Sequence, residues 1–445
     1  MKKLIALLLA LVMVLSLCAC GAKEEAPAAA PADDAAEAPA EEAAAGSVYY
    51  LNFKPEQDEA WQALAAEYTA ATGVPVTVLT AASGTYEETL MAEMGKQEAP
   101  TMFQVNGPVG LANWIDYCYD MSDSELYSHL TSDAFALTED GAVYGIAYVI
   151  ESYGIIANKA LLAEAGYAVE DITNFDALKT IVEDITARKD ELGFAAFTAS
   201  DMDSSSSWRF TGHVANLEYY WESVDAPEAW TACPAELTGA YMDNYRNLWD
   251  LMINNSTVAP SELATGGFDA QAEFANGEAV FYSQGNWEWS GLEGKGMKAE
   301  DLTMIPYYCG VEGEEMAGLN CGTENYWAVN GDASEEDIQA TLDFMYWLVT
   351  DAEAAEMAVA TFGAMPYKQA PASTNPFLAN ANEYASNGHY TMWWATNYQP
   401  NVDAYRAAVV SAMNEYNNNP SDETWATVET AFVDGWAVQY QAANG

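Results

Sequence analysis

Apolar residues in the body of the chain recur at two spacings, and these predict alternating strands and helices. Residues 48–53 are aromatic and β-branched, which is typical of a strand. In the stretch that follows, Trp61, Leu64 and Tyr68 recur at the spacing of one helix face. The elements predicted in this way are a strand at 48–53, a helix at 57–72, a strand at 76–79, a helix at 86–98 and a strand at 101–105.

This order of elements predicts an α/β fold with a mainly parallel sheet and helices on its faces. In such sheets, ligands bind in the crevice beyond the carboxyl ends of the strands. The loops at 53–56, 82–86 and 106–108 follow the three predicted strands. We therefore expect these loops to face a ligand.

The first residues form a pattern typical of exported bacterial lipoproteins. Two lysines precede an apolar stretch, 4–17, that is broken only by Ser16 and is short for a membrane span. The sequence LCACG at 17–21 then places a cysteine between small residues, as in a lipobox. We predict a signal peptide at 1–19, a lipidated Cys20 and a lipid anchor on the extracellular face of the cell membrane. An ordinary cleaved signal with incidental cysteines is the alternative.

Composition and length predict a flexible tether, two domains and a negatively charged surface. Residues 20–46 consist mainly of Ala, Pro, Glu and Asp, which predicts a flexible acidic tether. The body of about 400 residues beyond it is larger than one hydrophobic core usually supports, so two domains are expected. The chain has 15 basic and 67 acidic residues, a net charge of −52. So negative a surface repels phosphate backbones, which argues against nucleic-acid binding and disfavours polyanionic ligands.

The cysteines and histidines do not form a metal-binding pattern. Four cysteines follow Cys20 in the chain, and none has the C-x-x-C spacing of a zinc site. Only three histidines are present. We therefore expect neither a metal nor another cofactor. Cys309 and Cys321 flank a predicted hairpin, and the sequence leaves open whether they form a disulfide or remain thiols.

No catalytic motif stands out either. The sequence contains no G-x-S-x-G, H-E-x-x-H, P-loop or Gly-rich dinucleotide fingerprint. A glycosidase needs two carboxylates at a defined separation, but with 67 acidic residues such pairs arise by chance. We therefore expect a binding protein, not an enzyme.

Three stretches in fixed order carry a resemblance to a known family. They are YGIAYVIESYGIIANKALLAEAG at 144–166, FANGEAV with GNWEW between 274 and 289, and an Ile-Pro, a Gly-rich turn, YWAV and a helix between 305 and 350. Together they resemble the extracellular solute-binding proteins of ABC transporters, in particular the carbohydrate-binding group related to maltose-binding protein. The chain departs from the family pattern at Ala147, Ala157 and Glu278.

The resemblance implies the two-lobed fold of periplasmic binding proteins, in which a hinge lets the lobes close on a ligand. It places hinges near 149–152, 304–306 and 350–352. The first lobe would then comprise 47–148 and 307–349, and the second 153–303 and 353–445.

Sugar binding requires flat apolar surfaces for C–H faces and many polar groups for hydroxyls. Trp287 lies in a Gly-containing turn between Asn286 and Glu288, where the family places a stacking tryptophan. Glu151 lies in the first hinge segment, where a carboxylate is costly unless it is hydrogen-bonded. The further predicted ligand contacts are Ser83, Tyr86, Asn106, Trp208, Asn286, Asn320, Glu324, Asn325, Trp393 and Trp394.

The resemblance also implies partners. The chain would act as a monomer that captures a carbohydrate, most readily an oligosaccharide, and passes it to the permease subunits of an ABC importer. Its only contact with the membrane would be the lipid anchor. Two alternatives stay open: a binding protein for a polyamine, peptide or amino acid, and a sensor that presents its ligand to a membrane receptor.

Overall fold

A computed structural model of the protein describes residues 46–203 and 206–444. The predicted signal peptide, the lipidation site Cys20 and the tether up to residue 45 lie outside the described residues. No helix in these two ranges is long and apolar enough to cross a membrane.

The described part contains strands and helices in alternation. The strands are β1 Val48–Asn52, β2 Val76–Thr80, β3 Met102–Asn106, β4 Ala136–Glu139, β5 Ala142–Ala147, β6 Glu151–Asn158, β7 Ala195–Phe197, β8 Ala279–Gly285, β9 Leu302–Ile305, β10 Ala317–Gly322, β11 Asn325–Val329 and β12 Tyr390–Met392. The α-helices are α1 Asp58–Thr72, α2 Tyr86–Met94, α3 Gly107–Trp114, α4 Glu125–Ser128, α5 Lys159–Glu164, α6 Phe175–Ala187, α7 Lys189–Leu192, α8 Asn216–Asp225, α9 Met242–Asn254, α10 Ala270–Ala275, α11 Trp289–Gly294, α12 Glu335–Thr350, α13 Ala352–Phe362, α14 Pro376–Ser386, α15 Val402–Asn418 and α16 Asp422–Asn444.

The first sheet has the strand order β2-β1-β3-β11-β5-β4. β1 is parallel to β2 and β3, as the alternating pattern predicts, because α1 and α2 carry the chain back across the sheet. β11 instead runs antiparallel to both β3 and β5. The α/β prediction is therefore confirmed, but only the neighbouring pairs β1–β2 and β1–β3 of this sheet are parallel.

The second sheet has the strand order β12-β10-β6-β8-β7, with β9 also paired to β6. Every residue of β6 and of β8 is buried, as expected for central strands covered on both faces. We call the part of the chain built on the first sheet the first lobe, and the part built on the second sheet the second lobe.

Each lobe has its own core. In the first, the Trp61 ring packs edge-on against Tyr50 at 4.7 Å and is stacked on Phe362 at 4.6 Å between ring centroids. In the second, Trp249 and Trp436 are completely buried. The tryptophans that fill these cores are accordingly unavailable to a ligand.

The chain passes between the sheets at three places within the described residues, and two differ from the prediction. The first is 148–150, between β5 and β6, and it overlaps the segment 149–152 in which a hinge is predicted. The second is 323–324, between β10 and β11, and not 304–306, because β9 and β10 both belong to the second sheet. The third lies between Tyr367, in the first core, and Phe377, in the second lobe, and not at 350–352.

These passages correct the predicted lobe boundaries at two segments. Residues 307–322 lie in the second lobe, because Tyr307 and Tyr308 are in its core and β10 pairs with β6. Residues 352–367 lie in the first lobe, because Phe362 and Tyr367 pack in the first core. The predicted ranges 307–349 and 353–445 therefore each contain a segment of the other lobe.

A buried carboxyl pair in α8 gives the second lobe a pH-dependent stability. Glu218 is completely buried. Its neighbour Glu222 accepts hydrogen bonds through Oε1 from the N–H groups of Thr238 (2.8 Å) and Gly239 (2.7 Å). Burial, together with the charge of Glu222, raises the pKa of Glu218 to about 10. The proton therefore stays on Glu218 in the folded chain at neutral pH.

Glu218→Gln is expected to stabilise the protein above neutral pH. A raised folded-state pKa gives stability that is present below the unfolded value of 4.5 and lost as pH rises toward 10. Between these two pH values, each pH unit lowers the free energy of unfolding of the wild type by about 1.4 kcal/mol. The uncharged glutamine of the variant causes no such loss. Urea midpoints at several pH values test this, with exposed Glu236→Gln as a control of equal charge change. A pH dependence identical to that of the wild type would contradict the assignment.

Candidate ligand-binding site

A cleft of about 480 Å³ lies between the two lobes. On the first lobe it is bounded by the loops that follow β1, β2 and β3, which are the loops that the sequence predicts to face a ligand. On the second lobe it is bounded by residues 207–213, the turn after β8 and the start of α15. Residues of these segments that line the cleft include Phe53, Lys54, Glu56, Ser83, Tyr86, Asn106, Trp208, His213, Trp287, Glu288, Asp403 and Arg406.

Aromatic side chains form one wall of the cleft. The His213 ring is stacked on Tyr153, with 4.2 Å between centroids and 10° between planes. Trp208 meets His213 edge-on at 5.1 Å, and Trp287 lies 5.2 Å from His213 and 6.0 Å from Trp208. Trp208 and Trp287 are only partly buried, so the wall presents flat apolar surface to the cleft. We call Trp208, His213 and Trp287 the aromatic wall.

His213 is held neutral in this wall. A single π-helical turn, Arg209–Val214, carries it, and such turns often occur where a side chain must be aimed at a functional site. Burial lowers the pKa of His213 well below its usual value, and the positive charges of Arg406, Lys54 and Arg209 lower it further. The ring therefore acts as an aromatic surface and a neutral hydrogen-bonding group at physiological pH.

Trp287 is fixed by its own turn. Its Nε1 donates to Gln284 Oε1 at 3.0 Å, which folds the indole back over the end of β8. A Cβ at Gly285 would lie 2.2 Å from the indole ring. Only glycine at that position leaves room for the ring, so the Gly-x-Trp sequence has a steric cause.

Gly285→Ala is expected to displace the Trp287 ring from the wall and to weaken ligand binding without unfolding the lobe. The backbone at Gly285 has φ −113°, which alanine adopts readily, so the effect is steric and local. Isothermal titration and the near-ultraviolet circular dichroism of the tryptophans measure the two consequences. Gly294→Ala, where an added Cβ meets no atom within 4 Å, is the matched control. Unchanged affinity in Gly285→Ala would refute this account of the turn.

A buried ion pair forms the floor of the cleft. Lys54, just after β1, donates through Nζ to Glu151 Oε1 at the start of β6. The two side chains are 8% and 2% exposed, so water screens the pair little. Burial disfavours the charge on Lys54, but the carboxylates of Glu151 and Glu56 outweigh it and raise the pKa of Lys54. Lys54 therefore remains a cation, and its Nζ lies 5.5 Å from the centre of the Trp287 ring.

Other polar groups are oriented by neighbours. Glu288 accepts from Gln271 Nε2 at 2.7 Å and from Gln284 Nε2 at 3.1 Å, and burial raises its pKa. Arg406 donates through Nε to Gln399 Oε1 at 2.7 Å, and its Nη2 lies 3.8 Å from Glu324 Oε1. Charged groups at fixed positions are well suited to binding hydroxyl groups, which both donate and accept.

Seven of the predicted contacts line this cleft. They are Ser83, Tyr86, Asn106, Glu151, Trp208, Trp287 and Glu324. Trp287 and Glu151, the two singled out in the sequence, lie at its aromatic wall and its floor.

The other five predicted contacts do not line the cleft. Asn286 accepts from the Ser152 N–H at 2.7 Å through Oδ1, and Asn320 accepts from Asn216 Nδ2 at 2.9 Å, so both hold the second lobe together. Asn325 is buried in β11 opposite Asn106. Trp394 is buried 5.0 Å from Tyr153, and Trp393, 37% exposed, packs edge-on against Trp230.

Several cleft residues are absent from the prediction. Lys54 and Glu56 lie within the loop 53–56 that the strand pattern selects, so position alone could have found them. His213 and Arg406 lie on second-lobe elements far along the chain, and no local pattern marks them.

The four cysteines in the described part are free thiols. Cys309 is buried in the second core, whereas Cys321 lies in β10 opposite Ser152 of β6. The disulfide that the sequence left open is therefore not formed. Within the described residues, no cluster of three or more histidine, cysteine, aspartate or glutamate side chains could hold a metal ion.

The family of bacterial extracellular solute-binding proteins matches residues 63–387. The match covers more than half of the chain, which therefore belongs to this family of proteins that bind solutes outside the cell. A comparison with characterised protein sequences finds no match.

Solved structures share the fold along nearly the whole described part. The solute-binding protein RafE in complex with raffinose superposes with a TM-score of 0.68 at 14% identity, covering 88% of this chain and 99% of its own. A chitin oligosaccharide binding protein gives 0.67 at 16% identity, with coverages of 89% and 99%. Lmo0181 from Listeria monocytogenes in complex with cycloalternan gives 0.63 at 16%, with 87% and 97%. At such identities the likeness concerns the two-lobed fold.

Proposed function

We propose that this protein is the extracellular substrate-binding component of an ABC importer, and that it captures a carbohydrate, an oligosaccharide above all. One observation carries the proposal: a partly exposed aromatic wall faces a cleft whose other sides bear charged and amide groups. Indole faces bind the C–H faces of pyranose rings, and fixed polar groups bind their hydroxyls. Neither a purely apolar nor a purely charged ligand would use both kinds of surface.

The names of structural relatives support this choice of ligand. Structures of the same fold are described with raffinose, with chitin oligosaccharide and with cycloalternan. Each of those ligands contains more than one sugar unit. The aromatic wall of the present chain provides the kind of surface that such ligands need.

We infer that the ligand is retained by closure of the lobes. The passages at 148–150, 323–324 and 368–375 are the candidate hinges. The first is bonded to the first-lobe segment that precedes the last, through a hydrogen bond from the Ile150 N–H to the Ala364 carbonyl at 2.6 Å. Hinges of this kind are a few loop residues that absorb backbone rotation. Because Lys54 from the first lobe contacts Trp287 from the second, the two faces of the site approach each other when the lobes are closed.

The remaining parts of the proposal concern delivery. The predicted lipidated Cys20 and acidic tether would hold the protein at the outer face of the membrane, beside the permease subunits that accept its ligand. Function as a monomer fits a site that one chain completes. We further infer that the protein binds its sugar without transforming it, since Glu151 is paired with Lys54 and Glu288 is held by two amides.

A thermal-shift screen of the mature chain tests this function. The panel comprises α-1,4-glucans, chitin oligosaccharides and raffinose with its longer homologues, together with amino acids, peptides and polyamines. A sugar present at 100 times its dissociation constant is expected to stabilise the native state by about 2.7 kcal/mol and to raise the midpoint. A shift with an amine and none with any sugar would overturn the carbohydrate assignment.

A further inference from the structure

Asn286 lies where the turn that carries the wall tryptophan meets the passages between the lobes. It is the first residue of the turn after β8 and directly precedes Trp287. Its side chain is 1% exposed and does not line the cleft, so it does not touch a ligand there. The contacts of this buried amide are therefore with the protein alone, and they fall at the candidate hinges.

Asn286 is bonded at the second-lobe ends of two passages. Its Oδ1 accepts from the Ser152 N–H at 2.7 Å, two residues beyond the passage 148–150. Its backbone carbonyl accepts from Asn375 Nδ2 at 2.8 Å, at the end of the passage 368–375. The turn that carries the wall tryptophan is thus joined to both passages by direct hydrogen bonds.

The other branch of the Asn286 amide faces the first lobe. The Ser152 N–H requires an acceptor, which fixes Oδ1 on that side and leaves Nδ2 on the opposite side. A Cβ at Gly363, the residue after α13, would lie 3.1 Å from Nδ2 and 3.5 Å from the Ile150 carbonyl oxygen. Gly363 has φ +122°, a conformation that favours glycine. First-lobe backbone therefore lies directly against the amide, at a point that must shift when the passages rotate.

Nδ2 of Asn286 has no hydrogen-bond partner in this arrangement of the lobes. It is inaccessible to solvent, and none of the described residues accepts a hydrogen bond from it. The two lobes are in contact here, since Lys54 of the first reaches the Trp287 ring of the second at 5.5 Å. A buried donor without an acceptor is unfavourable. Contact between the lobes therefore carries a cost that is located at Asn286.

We propose that Asn286 is a positioning residue that biases the ligand-free protein toward the open state. When the lobes separate, the first passage turns and Nδ2 gains an acceptor, from the Ile150 carbonyl or from water. When the lobes close, that acceptor is lost, and the binding of a ligand must supply the difference. The empty cleft is thereby kept accessible. This inference rests on the lobe closure inferred under the proposed function and adds the residue that sets its equilibrium.

Asn286→Leu removes the amide and keeps the branched shape of the side chain. Leucine has no donor that closure can leave without a partner, so the closed state should gain relative to the open one. The Ser152 N–H loses its acceptor in both states, which lowers the stability of the lobe but favours neither state. The ratio of closed to open molecules without ligand is expected to rise about tenfold, which corresponds to ~1.4 kcal/mol.

Asn417→Leu is the matched control. Asn417, in α15, is 2% exposed, and its Oδ1 accepts from Trp249 Nε1 at 3.0 Å. Its Nδ2 likewise has no partner among the described residues. The amide has the same chemistry as that of Asn286 but lies inside the second lobe. Its replacement should lower the stability of the protein without moving the lobes.

Small-angle X-ray scattering of the mature proteins without ligand gives the radius of gyration. Asn286→Leu should be more compact than the wild type, whereas Asn417→Leu should match it. Calorimetric titration with maltotriose, a chitin trisaccharide and raffinose is the second readout. A sugar that binds should bind up to about tenfold more tightly to Asn286→Leu, because a larger fraction of molecules is already closed. Damage to the fold would weaken binding, so a merely structural role does not give this result.

A radius of gyration that does not fall in Asn286→Leu would overturn the inference, and so would an equal fall in Asn417→Leu. Weaker sugar binding in Asn286→Leu would also count against it and leave Asn286 as a structural residue only. The scattering measurement uses no sugar. If none of the three sugars binds, the proposed carbohydrate ligand is in question, while the role of Asn286 is still decided by the scattering.

Discussion

Glu151→Gln is expected to destabilise the protein more than any other single change considered for the cleft. The substitution leaves the Lys54 ammonium buried and without its carboxylate. Removing one partner of a buried ion pair typically costs about 3–5 kcal/mol, because the remaining charge is not solvated. Chemical denaturation followed by circular dichroism measures the effect, with the two lobes treated as separable transitions.

The opposite substitution and a double variant sharpen the test. Lys54→Met leaves Glu151, whose pKa burial already raises, so that side chain can take up a proton and the cost should diminish at acidic pH. Replacing both residues, as Lys54→Met with Glu151→Leu, should recover most of the stability. Glu183→Gln, which breaks an exposed helical pair with Lys179 at 3.9 Å, should have little effect. Wild-type stability in Glu151→Gln would contradict the pairing.

Trp287→Ala is expected to weaken oligosaccharide binding by about 10- to 100-fold while the fold is retained. Losing the apolar contact of an indole face corresponds to about 1.5–3 kcal/mol. The ring is only partly buried, so its removal leaves little empty volume in the core. Calorimetric titration gives the affinity, and thermal unfolding without ligand confirms that the fold persists.

Trp393→Ala is the control for this variant, since the sequence predicted both tryptophans as ligand contacts. Trp393 is 37% exposed and does not line the cleft, so its replacement should leave affinity unchanged. Equal losses in the two variants would mean that the effect is not specific to the aromatic wall. Wild-type affinity in Trp287→Ala would mean that the aromatic wall does not contribute to ligand binding.

The predicted residues that line the cleft include those whose position follows from the residues next to them in the chain. Ser83, Tyr86 and Asn106 follow strands of the first sheet, and the carboxyl ends of parallel strands meet at one edge. Trp287 was predicted from the resemblance of its Gly-x-Trp turn to that of the family, and the structure gives this turn a steric cause, since a Cβ at Gly285 would lie 2.2 Å from the indole ring. In each case the information lies within a few residues of the side chain.

Five predicted contacts lie outside the cleft, because exposure or polarity in the sequence was taken to mean contact with a ligand. The adjacent Trp393 and Trp394 lie in different environments, as two neighbouring tryptophans must. Trp394 is in the core and Trp393 is exposed to solvent, and neither lines the cleft. Asn286 and Asn320 are polar residues near the passages that bond to the protein itself. Burial and hydrogen bonding of a polar side chain depend on partners more than 100 positions away, and a single sequence does not reveal them.

The lobe boundaries failed for a related reason. A Gly-rich turn after β9 has the composition of a connection between lobes, yet the chain continues into β10 of the same sheet. Phe362 joins the first core through Trp61, a contact over 300 positions that the helical pattern of α13 does not indicate. Secondary structure follows local spacing, whereas lobe membership is decided by long-range packing.

The central claim is that a sugar binds between the lobes against Trp208, His213 and Trp287. It is tested most directly by a crystal structure of the mature protein with the oligosaccharide that gives the largest thermal shift. The account predicts a pyranose ring on the exposed face of Trp287, with hydroxyls bonded to polar groups such as Lys54 and Glu288. Sugar density outside the cleft, or a cleft that remains empty at saturating sugar, would contradict it.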